Sequence, residues 1–198
     1  MIEKFVLEGT QGTLLEQMKN KQDLLPKQCL DMPIDNLRAI YAKDVKEPMS
    51  PETKKEIQEK TGWSEGITDQ LVSEDEAEVY MNANVEEMEV DGRKDLVKTD
   101  IDLELKDEFG RTNLERMECG LSPITADGSK IELHHIGQKE NGSLVELTTE
   151  EHRGTANDMI LHDKTRSSEI DRVDFRAERE AHWKERARLI NESKQNVE

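Results

Sequence analysis

An α+β fold is predicted, with a strand, loop, strand and helix in succession near the C-terminus and a mainly helical N-terminal region that carries one β-hairpin. Three observations predict it. Four of the five histidines, His134, His135, His152 and His162, fall within residues 130–162, so one short stretch holds most of the titratable imidazole. Around them, residues 130–134 and 143–148 have strand character, the second with polar and apolar residues alternating, each entered through a turn dipeptide, Asp127-Gly128 and Asn141-Gly142. Thr148 with Glu151 three residues on then fits a capping box, so a helix starts there with His152 in its first turn.

Upstream, Ser50-Pro51-Glu52 opens a helix that runs to Lys60 and stops at Gly62, the hydroxyl capping it and proline sitting in its first turn. Trp63-Ser64 begins a second short helix, and Ser73 with Glu76 a third through another capping box. Residues 85–90 and 94–98 flank Asp91-Gly92, the strongest short hairpin signal in the chain. Thr112 and Glu115 cap a further helix that ends at Gly120 and Pro123. A closing helix is expected over 169–190, burying a face of Ile170, Val173, Ala177, Ala181, Trp183 and Ala187, with His182 structural. Residues 1–47 give only scattered helix signals, at 14–18 and 37–41, interrupted by Pro26 and Pro33.

Composition limits what such a chain can be. Of 198 residues, 33% are hydrophobic and 4% aromatic, so the core is modest. The net charge of −17 is uneven: 13 basic against 25 acidic residues in 1–105, 15 against 20 in 106–198. A nucleic-acid binder ordinarily displays a basic surface. Here positive potential must come from a bound cation and local arginines, or the substrate is something else. Arg111 and Arg116 are read first as salt-bridge partners of nearby acids. Cys29 and Cys119 form no CxxC pair, which excludes a zinc ribbon built on them. No run approaches membrane-spanning length, and the first residues lack the basic start and apolar core of a cleaved signal peptide.

Imidazole is the side chain that near neutral pH serves either as metal ligand or as proton acceptor. Consecutive strand residues point to opposite sides, so His134 and His135 can divide those two tasks. The blocks 110–117 (GRTNLERM), 120–123 (GLSP), 131–138 (IELHHIGQ) and 151–154 (EHRG), then Leu161-His162 and 168–172 (SEIDR), together resemble the Leu-His-His nucleases of the HNH/endonuclease VII superfamily. The resemblance covers roughly residues 107–190.

It implies a ββα-metal core that cuts nucleic acid with one divalent cation (Mg²⁺, Mn²⁺, Ni²⁺ or Zn²⁺). Within that pattern His134 is a metal ligand, His135 the general base, and His152 a second ligand from the helix start. His162 or Asn157 completes the set. Ten residues of uninterrupted helix from His152 to His162 would span about 15 Å, too far for one ion, unless Gly154 breaks it. Gln138 is a candidate for orienting the base or touching sugar, with capping of its loop as the alternative, and Arg153 and Arg172 are candidate phosphate contacts.

The organisation expected is a helical region of unassigned role at 1–60, a helix and hairpin module at 61–105 and the nuclease domain at 106–192. The function expected is DNA endonuclease, the effector of a bacterial toxin and immunity pair. It would be delivered into a target cell by a non-classical route and held in the producer's cytoplasm by its immunity protein, with no membrane insertion. The alternatives are an RNase using the same site and a non-catalytic module in which the histidines hold a structural zinc.

Overall fold

Local capping chemistry sets most element boundaries. The computed structural model describes residues 49–164 and 169–195; the helix signals at 14–18 and 37–41, Cys29 and Arg166 lie outside them. Helix α1 (Pro51–Thr61) begins with Ser50 Oγ accepting the Thr53 N–H at 3.1 Å and ends at Gly62, whose φ of 78° an L side chain rarely adopts. After the single turn α2 (Glu65–Thr68), Ser73 caps α3 (Glu74–Met81) through the Glu76 N–H at 3.2 Å.

The reciprocal half of that expected capping box is replaced by something else. The Glu76 carboxylate is buried and accepts the Val72 N–H at 2.7 Å, the Tyr80 O–H at 2.7 Å and the Gly137 N–H at 2.8 Å. A carboxylate taken out of water needs several donors, and a helix N-terminus offers fewer than this pocket does.

Strands β1 (Val85–Val90) and β2 (Arg93–Lys98) turn through Asp91-Gly92, both at positive φ (51° and 74°), as a tight two-residue hairpin demands. Helix α4 (Asn113–Glu118) carries the complete capping box between Thr112 and Glu115. Then come β3 (Ile131–His135), a 3₁₀ turn (Ile136–Gln138), β4 (Leu144–Thr148), α5 (Thr149–Arg153), α6 (Thr155–Leu161) and the long α7 (Arg172–Gln195). The four strands make one sheet in the order β1-β2-β4-β3, antiparallel except for β2 beside β4. Hairpin and histidine strands are therefore hydrogen-bonded into the same sheet.

The sheet separates two environments. On one face Ile131, Leu133 and Leu144 pack with Met117 of α4 and with Trp183 and Ala187 of α7. On the other, Glu132 and His134 look toward α5. Helix α7 buries Trp183 and Ala187 as expected but differs in its start and in the rest of its buried face. Val173 is 77% exposed, and Ala177 and Ala181 are exposed as well. The buried stripe is His182, Trp183, Arg186 and Ala187. The i+4 series Glu178, His182, Arg186 finds charged partners on β2 and β4, so a polar stripe goes inside where the small apolar residues were expected. The helix starts at Arg172 because Asp171 Oδ1 accepts the Val173 and Asp174 N–H groups, at 2.7 and 3.2 Å.

Candidate metal centre and histidine strand

The alternation of β3 puts Glu132 and His134 on one face and His135 on the other. Opposite His134, the Thr148 and Glu151 capping box fixes the first turn of α5 and with it His152. His134 Nδ1 and His152 Nε2 stand 3.0 Å apart. His162 joins them: one potential ligand nitrogen from each of the three imidazoles lies within 4.8 Å of the others. Two ligands bonded at about 2.0–2.1 Å to one tetrahedral ion sit about 3.3 Å apart, so the first pair already has nearly the required spacing.

The ten-residue separation that would keep His152 and His162 apart on a continuous helix is solved at Gly154. Its φ/ψ of −52°/144° ends α5, and α6 leaves in a new direction that returns His162 to the cluster. A Cβ at Gly154 would lie 2.5 Å from Glu150 O, so no larger residue fits this joint. Gly154→Ala is accordingly expected to displace His162 and weaken ion uptake while leaving the helical content unchanged. Displacements of about 1 Å at a reacting centre cost on the order of 10²-fold in rate. Metal titration followed alongside circular dichroism checks it.

The remaining candidates are placed as follows. Asn157 donates its amide to Glu151 O at 2.8 Å and so braces the α5–α6 joint. Gln138 Oε1 accepts the Asp163 N–H at 2.7 Å, tying the turn after β3 to the residue beside His162. Arg153, its side chain 58% exposed, donates Nε to Glu132 at 2.7 Å. Arg172 opens α7 on the surface. Arg111 and Arg116 both pair with Asp107. Burial alone would raise the Asp107 carboxyl, but these cations and the N–H groups of Arg111 and Phe109 hold it down at about 2.

His135 ends β3 on the far face. It is 4% exposed, its ring centroid 4.6 Å from that of Phe175 and its Nε2 2.9 Å from Glu178 Oε2. It forms part of the wall of a cleft of about 290 Å³ shared with Glu140, Asp171, Asp174 and Glu178. Glu178 is also held by Arg93 at 2.5 Å, and Arg93 by Asp95 at 2.8 Å, so the hairpin reaches the histidine through α7. Beyond them His182 lies between Asp95 (3.3 Å) and Glu146 (2.8 Å), with Arg186 donating to Glu146 at 2.8 Å.

The electrostatics of the triad suit a cation. Burial, then the neighbouring His152 and His162, push the His134 imidazole well below its ordinary 6.5, so near neutral pH it is uncharged with a lone pair available. Burial likewise lowers His152, against the hydrogen bond from Glu132 that raises it. His134 Nε2 is buried without a hydrogen-bond partner among the described residues. Three imidazoles from a strand and two helix ends, with one ligand nitrogen of each within 4.8 Å of the others, form a donor set that fits a divalent transition metal.

Two strands and a helix converging on a set of imidazoles have the architecture of the ββα-metal nucleases. Residues 112–189 match the family model described as LHH, a nuclease of the HNH/ENDO VII superfamily with conserved LHH. No solved structure matches the chain.

Two residues beside the triad were given no role from the sequence, Glu132 and Asp158, and a third, Glu178, stands against His135. Spacing could have found them. Glu132 is two residues before His134 on a strand, Asp158 four before His162 on a helix, and Glu178 four before His182.

Proposed function

We propose that the chain is a metal-dependent endonuclease that hydrolyses phosphodiester bonds in DNA, with residues 106–192 carrying the chemistry and residues 61–105 packing the loop that follows β3. The observation that carries this is the convergence of His134, His152 and His162 one residue from His135 at the strand's end. A divalent ion, when bound, supplies Lewis acidity to the phosphoryl oxygen and to the departing 3′ oxygen.

The chain's own groups do the rest. The three imidazoles grip the ion, and burial keeps His134 uncharged so that no proton competes for its lone pair. His135 takes the proton from the attacking water. Gln138 holds the turn beyond His135 against Asp163, and Arg153 and Arg172 supply cationic contacts to phosphate. With the exposed carboxylates of a −17 chain repelling DNA elsewhere, affinity rests on these few cations and falls steeply with salt.

Imidazole donors suit Zn²⁺ and Ni²⁺ better than Mg²⁺ and Mn²⁺, which prefer oxygen. Plasmid nicking is expected to be faster with those transition ions than with Mg²⁺ and to stop with EDTA. Activity that survives both EDTA and His135→Ala rules the mechanism out. Matched DNA and RNA substrates decide between a DNase and an RNase with the same site.

A structural zinc would be enclosed by four protein ligands. Among the described residues no cysteine or carboxylate joins the three histidines, which favours the catalytic reading. Among them, too, no helix is long and apolar enough to cross a membrane.

The resemblance also supports a toxic effector, delivered into a target cell and held by an immunity protein in the producer's cytoplasm. Growth arrest on expression of the wild type, absent with His135→Ala, is the corresponding observation in cells.

A further inference from the structure

Behind each helix-borne histidine of the triad stands a carboxylate, and behind each carboxylate a cation. His152 donates Nδ1–H to Glu132 Oε2 at 2.5 Å, and Glu132 also takes the Arg153 Nε–H at 2.7 Å. His162 Nδ1 lies 3.1 Å from Asp158 Oδ1 and 3.2 Å from Asp158 O, and Asp158 is paired with Lys164. The two arrangements share a layout although one carboxylate comes from a strand across the site and the other from the preceding turn of the same helix. A neutral imidazole has one N–H and one lone pair, and the hydrogen bond made by one nitrogen decides which nitrogen keeps the lone pair. With Nδ1–H committed to a carboxylate, both histidines keep the lone pair on Nε2. For His152 that nitrogen faces His134 at 3.0 Å.

We propose that Glu132 and Asp158 are positioning residues of the metal centre: each fixes its histidine as the Nδ1–H tautomer, turns Nε2 toward the common point, and raises the donor strength of the ring. Arg153 and Lys164 hold the two carboxylates in place. This rests on the metal-centre reading above. It assigns a role to two acids that contact no ion themselves, and to the first residue of the Glu132-Leu133-His134-His135 run.

The test has two readouts, neither of which needs nuclease activity. In the full-length apo protein, long-range ¹H–¹⁵N correlation of labelled histidines is expected to report Nδ1–H tautomers for His152 and His162. Glu132→Ala abolishes that preference at His152 alone, and Asp158→Ala at His162 alone. Titration with Co²⁺ or Zn²⁺ is expected to show metal affinity reduced about 10–100-fold by each alanine, the usual effect of removing such a partner. Glu132→Gln, which still offers an acceptor oxygen and spares the fold, retains most of the affinity.

The proposal is overturned if the apo tautomers are Nε2–H, or if both alanine variants bind metal as tightly as wild type. A wild type that takes up no ion removes the centre itself, and in that case the tautomers still report whether the carboxylates set the rings. Correct tautomers with no ion bound would reduce Glu132 and Asp158 to ordinary structural partners.

Discussion

Replacing His135 with alanine is expected to lower the rate of DNA cleavage by about 10²–10⁴-fold, the range contributed by a positioned general base, while ion uptake by His134, His152 and His162 is unchanged. The separation follows from the strand. His135 and His134 are adjacent in sequence but emerge on opposite faces of β3, so the far side chain can be removed without touching the triad. The loss should fall on kcat rather than KM, because the imidazole acts on the water and binds no part of the ground-state substrate. His134→Ala differs in kind: it removes a ligand, so cleavage and ion binding are lost together. Single-turnover cleavage with parallel metal titration of the two variants distinguishes them. Equal metal loss in both would place His135 among the ligands and leave the site without its base.

Glu146→Ala is expected to destabilise the folded chain by about 3–5 kcal/mol, the cost of removing one partner from a buried ionic cluster. Against a typical total of about 5–15 kcal/mol that is a large share. Glu146 is fully buried on β4 and accepts from His182 Nε2 (2.8 Å), Arg186 Nε (2.8 Å) and the Lys98 N–H (2.9 Å). Without it, the imidazole and the guanidinium remain inside with their main counter-charge gone.

Replacing Glu146, His182 and Arg186 together by apolar residues of similar volume is expected to cost less than Glu146→Ala alone, since no stranded charge is left. Urea unfolding of the two variants decides this.

The same cluster sets a pH signature. Burial lowers His182, but its hydrogen bonds to Asp95 and Glu146 outweigh burial and raise it above 6.5. The folded state therefore holds this proton more tightly than the unfolded chain. The stabilisation is fully present below pH 6.5 and disappears as pH rises through the folded value. His182→Gln should accordingly destabilise most on the acid side and progressively less toward alkaline pH, as read from urea midpoints across that range.

How much of this could be read from residues alone follows the range of the interactions. Thr112 with Glu115, Thr148 with Glu151, Ser50-Pro51 and Asp91-Gly92 announced their caps and turn because each is decided within a few residues. The His134 and His152 pairing was legible from strand parity and helix start. The return of His162 hinged on the one glycine, Gly154, that could break the helix.

Trp183 and Ala187 were legible as buried residues of α7, but the polar half of the stripe was not, because His182 and Arg186 owe their burial to Asp95 and Glu146, on strands far away in sequence. Without those partners a helix would bury Val173, Ala177 and Ala181 in preference to His182 and Arg186. Glu76 was misread for a similar reason: it looks like a local cap and instead holds Gly137, in the turn after the histidine strand. There a Cβ would lie 2.5 Å from Gln70 O, so the turn is clasped from two sides by residues of 61–105.

Anomalous diffraction from crystals soaked in Zn²⁺ or Mn²⁺ addresses the metal centre most directly. The expected result is one strong peak per chain, with nitrogens of His134, His152 and His162 at about 2.0–2.1 Å for zinc and at least one coordination position open to solvent. A peak enclosed by four protein ligands, or none near these imidazoles at saturating ion, would contradict it.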